Sequence, residues 1–518
     1  MKAILLTLLS FVYAVPAVTI QGYKPAPIYT ESGYYSLVIE GQRVPVHAFD
    51  GYAYAHFSFG GGPAKMTIKA KQMSSITTFS TSPRRHGFDD SGVVSGNTLT
   101  ITMKEPVYII IYIKNSKRQL IIAADPLDTA PPVSGKGVFN VVTQYGADAS
   151  GKSLSTNAFM TALLAANSYG KGSIVYVPPG VYPIGNLVLP SFISLYLAPG
   201  SVLRFTGNRA DYTKHWHKNS QNLDGTEWIR TAHKSRDIKV FGRGTIDANG
   251  LVAQKKTKFI AHAVVPLNTT NFVFDGPVIR DGGSWTLMPT RSSYVTIDHA
   301  KVLNRMNLGE NDAIDVQESQ HVVVRNSIGI ALDDAFSTKT WPENVEITVA
   351  YPGPAQPLYN VTFSNCLAWT HCYGFKVGQG VWQEQRNIRF EWSTVYDAAV
   401  GLGVHHKWGS AIAHEVQFTE MSIDNLHGSN DGHQAWLEVF VQEGTKGIYG
   451  PIDDVALWNI AVRARGGSAV WTRGVPGAPV SNVAFKNIWF KDLNRAARSL
   501  NELGITETSY SSGVLLKT

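Results

Sequence analysis

Short apolar-x-apolar triplets recur along most of this chain at long and irregular spacing, and no other feature limits the possible folds as much. They start at Ile193, Ile238, Val273, Val295, Val322, Val361, Ile388, Val416, Val455 and Val483, as in Val295-Thr296-Ile297, Val361-Thr362-Phe363 and Val483-Ala484-Phe485. From Val273 onward the steps are 22, 27, 39, 27, 28, 39 and 28 residues. A sandwich or barrel puts turns about every 8–12 residues. A parallel β-helix instead gives each coil several short strands with loops of variable length between them, so its period is longer and uneven. The pattern therefore predicts an all-β chain, a right-handed parallel β-helix. Asn304, Asn326, Asn365 and Asn425 each follow a strand start at a place where a stacked polar turn residue would sit.

The organisation around this repeat is expected in four parts. Met1-Lys2, the apolar run from Ala3 to Ala14 and the small residues Ala14 and Ala17 read as a signal peptide over residues 1–17. That places the mature chain outside the cell, where the sequons at Asn268 and Asn360 become glycosylation sites. Residues 18–125 alternate β-rich runs with polar turns and read as a small antiparallel β-sandwich; residues 126–136, with Pro126, Pro131, Pro132 and Gly135, read as a linker; residues 137–518 hold the β-helix. One helix is expected at Thr156 to Asn167, with Ser155 and Thr156 as N-caps and Phe159, Met160, Leu163 and Leu164 as its apolar face. It would cap the open end of the solenoid. Cys366 and Cys372, the two cysteines of the sequence, permit one short-loop disulfide. The net charge of +7 favours an acidic polymer, but the basic residues are scattered, which argues against nucleic acid. No membrane partner and a monomer are expected.

The chemistry concentrates in two acidic segments, Asn311-Asp312-Ala313-Ile314-Asp315 and Ala331-Leu332-Asp333-Asp334-Ala335. Asp312 and Asp333 are 21 residues apart, about one coil, so the segments should lie on neighbouring coils. Asp333 and Asp334 can both face a cleft only at a strand end or bend, because successive strand side chains point to opposite faces. Clustered carboxylates raise one another's pKa, so one stays protonated while a neighbour is ionised, the division of labour that glycoside hydrolysis needs. A calcium site and a solvated turn are the alternatives. Trp285, Trp341, Trp369, Trp382 and Trp408 fall near these motifs, with Trp285 and Trp408 the best candidates for stacking on sugar rings.

The Asn-x-Asp-x-x-Asp segment, the Asp-Asp pair, Phe139 to Asp148, Tyr196 to Gly200 and Gly242 to Asp247 resemble the pectin-lyase-like β-helix glycosidases. Among these the sequence is most similar to family 28 hydrolases such as polygalacturonases and rhamnogalacturonases. The small domain ahead of the β-helix resembles that of family 49 dextranases and isopullulanases. The resemblance implies a secreted, inverting hydrolase with no cofactor or metal, with Asp333 as general acid, Asp312 and Asp334 holding the attacking water, and Asn311 and Asp315 behind them. The family's Gly-His-Gly motif appears as Cys372-Tyr373-Gly374, so Tyr373 replaces the histidine, and its Arg-x-Lys appears as His405-His406-Lys407. Tyr373, Lys376, His405 and Lys407 are thus expected to bind a polysaccharide: galacturonan or a modified galacturonan first, an α-glucan second. A calcium-dependent lyase and a non-catalytic glycan-binding β-helix complete the alternatives.

Overall fold

The computed structural model describes residues 18–428, 432–444 and 447–517; residues 1–17, expected to be a signal peptide, lie outside them. From residue 138 onward the chain winds as a parallel β-helix with three sheet faces. On the first face the triplets stack in register, Phe272 on Val295, then Val322, Val361, Ile388, Val416, Val455 and Val483. The stacked residue of its coil is Phe272, not Val273, whose neighbour is Thr296. Inward residues of these strands are fully buried and form one continuous core along the solenoid. The residue just before each triplet takes a left-handed conformation: Phe192, Asp237, Asn271, Tyr294, His321, Asn360, Asn387, Glu415, Asp454 and Asn482 all have positive φ. Asn and Asp tolerate that region best, and they supply six of these ten corners.

Of the four asparagines expected as stacked turn residues, two behave so. Asn365 Nδ2 donates to Asn326 Oδ1 (2.8 Å), and Asn326 Nδ2 to Asp298 Oδ1 (2.9 Å). Asn304 turns inward to hold the acidic loop, and Asn425 bonds the carbonyl of Tyr396. The helix Thr156–Tyr169 covers the first coils through Phe159, Ala162, Leu163 and Ala166, a spacing of three and four residues. Met160 is only partly buried and Leu164 is exposed, so the apolar face is rotated from the expected one. Neither expected cap closes the helix: the Ser155 hydroxyl accepts from Asp148 N (3.0 Å) and that of Thr156 from Gly185 N (2.6 Å).

The strands between Thr19 and Asp125 form two facing sheets of six and five strands around their own core. One pairing is parallel, Gln119–Asp125 against Tyr52–Gly60, so the sandwich is mixed rather than wholly antiparallel. Its outer surface packs on the second face of the β-helix: Tyr52, Tyr108, Ile110 and Ile121 meet Leu303, Ile328, Ile330, Leu367 and Trp369. The third face, Ile314–Gln317, Phe336–Thr340, Tyr373–Val381, Val400–Trp408, Ala435–Val441, Val470–Arg473 and Ile505–Glu507, is left open as the floor of a cleft. Cys366 and Cys372 are both buried and not joined by a disulfide. Among the described residues no helix is long and apolar enough to cross a membrane.

Candidate active site

The cleft floor is built by register. Asp315, Ser337, Lys376, Gly403, Glu438 and Trp471 pair successively from strand to strand, one per coil. At about 4.8 Å per coil, four steps separate the Phe336–Thr340 coil from Trp471, about 19 Å of floor. Asp312, Asp333, Asp334, Tyr373, Lys376, His405, Lys407, Trp285 and Trp408 all line one cavity of about 720 Å³ above this floor, a size suited to a saccharide segment.

The bend required at Asp333-Asp334 is present, since the chain turns there before entering Phe336–Thr340. Asn311 sets it: its Oδ1 accepts from Leu332 N (2.9 Å) and Asp333 N (3.3 Å), and its Nδ2 donates to Arg305 O (2.8 Å). Asn304 in turn donates to Asn311 O (2.6 Å), and Tyr52 of the sandwich donates to Asn304 O (2.9 Å). Stacking of Ile314 on Phe336 sets Asp312 level with Asp334, and Ala313 N donates to Asp334 O (2.9 Å).

At the centre lies a residue the sequence did not single out, Lys339. Its ammonium contacts Asp312 Oδ2, Asp315 Oδ1 (3.1 Å) and Asp334 Oδ2 (3.5 Å). Lys376 Nζ is 3.0 Å from Asp334 Oδ2. Three carboxylates therefore share two ammoniums in a buried site with Asp333 beside them, and that excess of negative charge retains protons. Burial, then Asp334, raises Asp333; burial and Asp315 raise Asp312 well above its ordinary value; burial raises Asp315 against the pull of Lys339. Asp334 goes the other way: burial opposes its charge, but Lys376 and Lys339 hold it down at about 2. Asp312 Oδ1 is buried without a protein partner, a position suited to holding a water. Oxygens of Asp333 and Asp334 and the sulfur of Cys372 lie within 4.8 Å of one another. A thiol and two lysines around these carboxylates make a poor donor set for calcium.

Several expected sugar contacts have other duties. Trp285 is only 5% exposed and lies beneath two ammoniums, Lys218 at 4.9 Å and Lys339 at 4.6 Å from its ring centre. It belongs to an aromatic ladder, Trp216, His262, Trp285, Trp341 and Trp408, whose last two members are half-buried and line the cavity. Trp369 is in the junction with the sandwich, and Trp382 does not line the cavity. His405 is buried, bonds Gln442 Oε1 (2.8 Å) and is lowered to about 3 by burial and Lys376, so it is neutral and adds no positive charge. His406 is buried and bonds the Ala411 carbonyl. Lys376 is bound to Asp334 and Tyr373 to Glu438, leaving Lys407 as the lining cation that, among the described residues, has no carboxylate partner.

The sequence motifs also missed both ends of the cleft. Toward the N-terminal coils, Lys218 meets Glu310 (3.1 Å), Ser220 Oγ meets Glu310 (3.1 Å) and Asn219 N meets Glu346 (3.3 Å), forming an end wall next to Trp285. Toward the C-terminal coils the lining continues through Glu438, Phe440, Gln442, Trp471 and Arg473. These residues lie 100 or more positions beyond the acidic motifs, and only coil stacking brings them there.

Residues 138–380 match the family described as rhamnogalacturonase A/epimerase, pectate lyase-like. The chain is 29% identical over 209 residues to a putative galacturan 1,4-alpha-galacturonidase A of Aspergillus flavus, covering 35% of this chain and 46% of that protein. It is 31% identical over 118 residues to an exo-poly-alpha-D-galacturonosidase of Dickeya chrysanthemi, covering 21% and 19%. It thus spans less than half the length of either curated relative. In fold it is similar to the family 28 exopolygalacturonase of Yersinia enterocolitica (TM-score 0.56, 15% identity, 92% of this chain and 98% of that one). The similarity to Dex49A from Penicillium minioluteum also runs the full length (TM-score 0.59, 12% identity, 96% of each chain). With these coils, these motifs and this matched segment, the chain shares the β-helix fold of those two enzymes, and its residues 138–380 are similar to the rhamnogalacturonase A/epimerase, pectate lyase-like family.

Proposed function

We propose that the protein is a secreted glycoside hydrolase acting on galacturonan or a related pectin-like polysaccharide. The observation that carries this reading is the split within one buried cluster, Asp333 raised and Asp334 held ionised. Asp333 then protonates the leaving oxygen, while Asp334, with Asp312 Oδ1 as second anchor, holds and deprotonates a water that attacks the anomeric carbon. The two relatives named as galacturonidases support the substrate class. The contacts of Lys218 and Ser220 with Glu310 and of Asn219 with Glu346 stand on the N-terminal side of the acids, while the lining runs on over several C-terminal coils. That asymmetry, together with the relatives' names, favours release of short products from a chain end.

Lys407 is the group best placed to bind a uronate carboxylate. Replacing it with Met should raise KM on galacturonan about tenfold, the loss of one charge-assisted hydrogen bond, and change little on a neutral polymer. Product masses from a panel of galacturonan, rhamnogalacturonan, dextran and pullulan test the assignment. Uronate products support it, and hexose products alone replace it with the α-glucan reading. One observation favours that second reading: Lys339 and Lys376 are both spent on aspartates, so among the described residues the acids have no second unpaired cation beside them.

Stereochemistry has its own test. Inversion is expected if Asp334 acts as base on a water, because no covalent sugar intermediate then forms. The approach of Asp333 to Asp334 within 4.8 Å is closer than the roughly 6.5–9.5 Å of typical inverting pairs, and favours retention. Proton NMR of the first-formed anomer decides between them.

A further inference from the structure

Tyr373 stands on the coil after Asp334, where Ala335 N donates to its carbonyl (3.0 Å). Its ring lies in a notch that exists because residue 403 is glycine: a Cβ there would sit 2.6 Å from the Tyr373 Cδ1 and Cε1 atoms. Across the notch the hydroxyl donates to Glu438 Oε2, two coils from Lys376 on the same floor column. Glu438 is 2% exposed, and its other oxygen is 2.6 Å from His433 Nε2. Burial and the adjacent Glu438 raise Tyr373 well above its ordinary value, so the phenol stays a donor. The face of the same ring is 4.3 Å from Lys376 Nζ, the ammonium that pairs with Asp334.

A buried lysine keeps its charge only if its surroundings replace water, and here Asp334 and the electron-rich face of Tyr373 do so from two sides. A phenylalanine would offer a similar face, but nothing would fix its angle in the notch. The Glu438 carboxylate supplies that fixing, from 62 residues further along the sequence than Lys376.

We propose that Glu438 is a positioning residue which, through the hydroxyl of Tyr373, holds Lys376 against Asp334. Resting on the hydrolase reading, this assigns Tyr373 to the support of the base rather than to sugar contact, and it makes Gly403 a requirement of the site.

The test compares Tyr373→Phe, Glu438→Leu, Glu438→Gln and the Tyr373→Phe/Glu438→Leu double variant on galacturonan, with crystal structures of the wild type and Tyr373→Phe. Each of the first two should lower kcat about tenfold with KM within about twofold, and the double variant should be no slower than the worse single, because both remove one hydrogen bond. Glu438→Gln keeps an acceptor for the phenol and should lose about threefold. In the Tyr373→Phe crystal the Lys376–Asp334 contact should open from 3.0 Å to beyond about 3.5 Å. A rise in KM at constant kcat would show that Tyr373 and Glu438 touch the sugar, and multiplicative losses would show that they act separately; either overturns the proposal. An unmoved Lys376 in the crystal overturns it as well. That crystallographic result stands even if the wild type cleaves none of the polymers, an outcome that would refute the hydrolase reading instead.

Discussion

Asp125, at the junction of sandwich and β-helix, is a single fully buried carboxylate facing Lys301 Nζ at 2.5 Å, His56 Nε2 at 2.7 Å and Arg243 Nε at 3.1 Å, with the Tyr108 hydroxyl also donating to it. In the cleft, Asp312, Asp315 and Asp334 divide Lys339 and Lys376 among them, with Asp333 beside Asp334. Burial opposes the charge on every one of these acids, yet Lys301, His56 and Arg243 hold Asp125 far below the usual range while Asp312, Asp315 and Asp333 are pushed above it. Depth does not separate the two regions. The ratio of cations to carboxylates does: Asp125 is held ionised by its neighbours, while three of the cleft acids are pushed toward the protonated form.

The same substitution made in both places should break the comparison or confirm it. Asp333→Asn should lower turnover by about 10²–10⁴-fold, the worth of general acid catalysis, with no loss in Tm. A variant keeping more than about a tenth of wild-type activity would remove Asp333 from that role. Asp125→Asn strips two cations of their partner and should cost about 3–5 kcal/mol in denaturant unfolding, while the folded fraction keeps its kcat. If Asp125→Asn were neutral in stability, the junction would not depend on the ion pairs its geometry describes.

Lys339→Met should come next in size. Removing that ammonium raises Asp334, so the acid limb of the kcat/KM profile, where the base gains its proton, should move up by about 1–2 pH units. An unmoved limb would mean that Lys376 alone sets the charge of the base.

The pH dependence of stability then sharpens the contrast. Asp125 has a folded pKa below its unfolded value of about 3.9, so its contribution is complete above that pH and is lost as pH falls. Asp333 has a raised folded pKa, so its burial costs nothing below about pH 3.9 and costs most at neutral pH. Asp333→Asn should therefore be the more stable and Asp125→Asn the less stable protein at pH 7; the first should come down to the wild type by about pH 4, while the second should begin to approach it only as pH falls below about 4. Parallel curves would refute the assignment of opposite states.

The smallest effect tests whether the junction reaches the cleft at all. Tyr52→Phe removes the hydrogen bond to Asn304 O, the first link of the path through Asn311 to the Asp333 backbone. About 1 kcal/mol of stability and a two- to threefold loss in kcat are expected. A loss of stability alone would confine the sandwich to a supporting role.

The sequence by itself determined the solenoid and the location of its chemistry. Inward-facing strand positions must be apolar in every coil, so the triplets mark the coils, and side chains one coil apart must stack, so Asn311 to Asp315 and Asp333-Asp334 had to meet. The physical constraint in each case is local and repeats. Tertiary structure alone decided the charge state of the site. Lys339 occupies an ordinary strand, Glu438 lies 104 residues beyond Asp334, and Trp285 looks like an open platform until Lys218 and Lys339 are found on its faces. The protonation of a buried carboxylate depends on every charge within a few ångströms, and in a β-helix those charges come from loops of unequal length on several coils. No single spacing in the sequence records which of them converge.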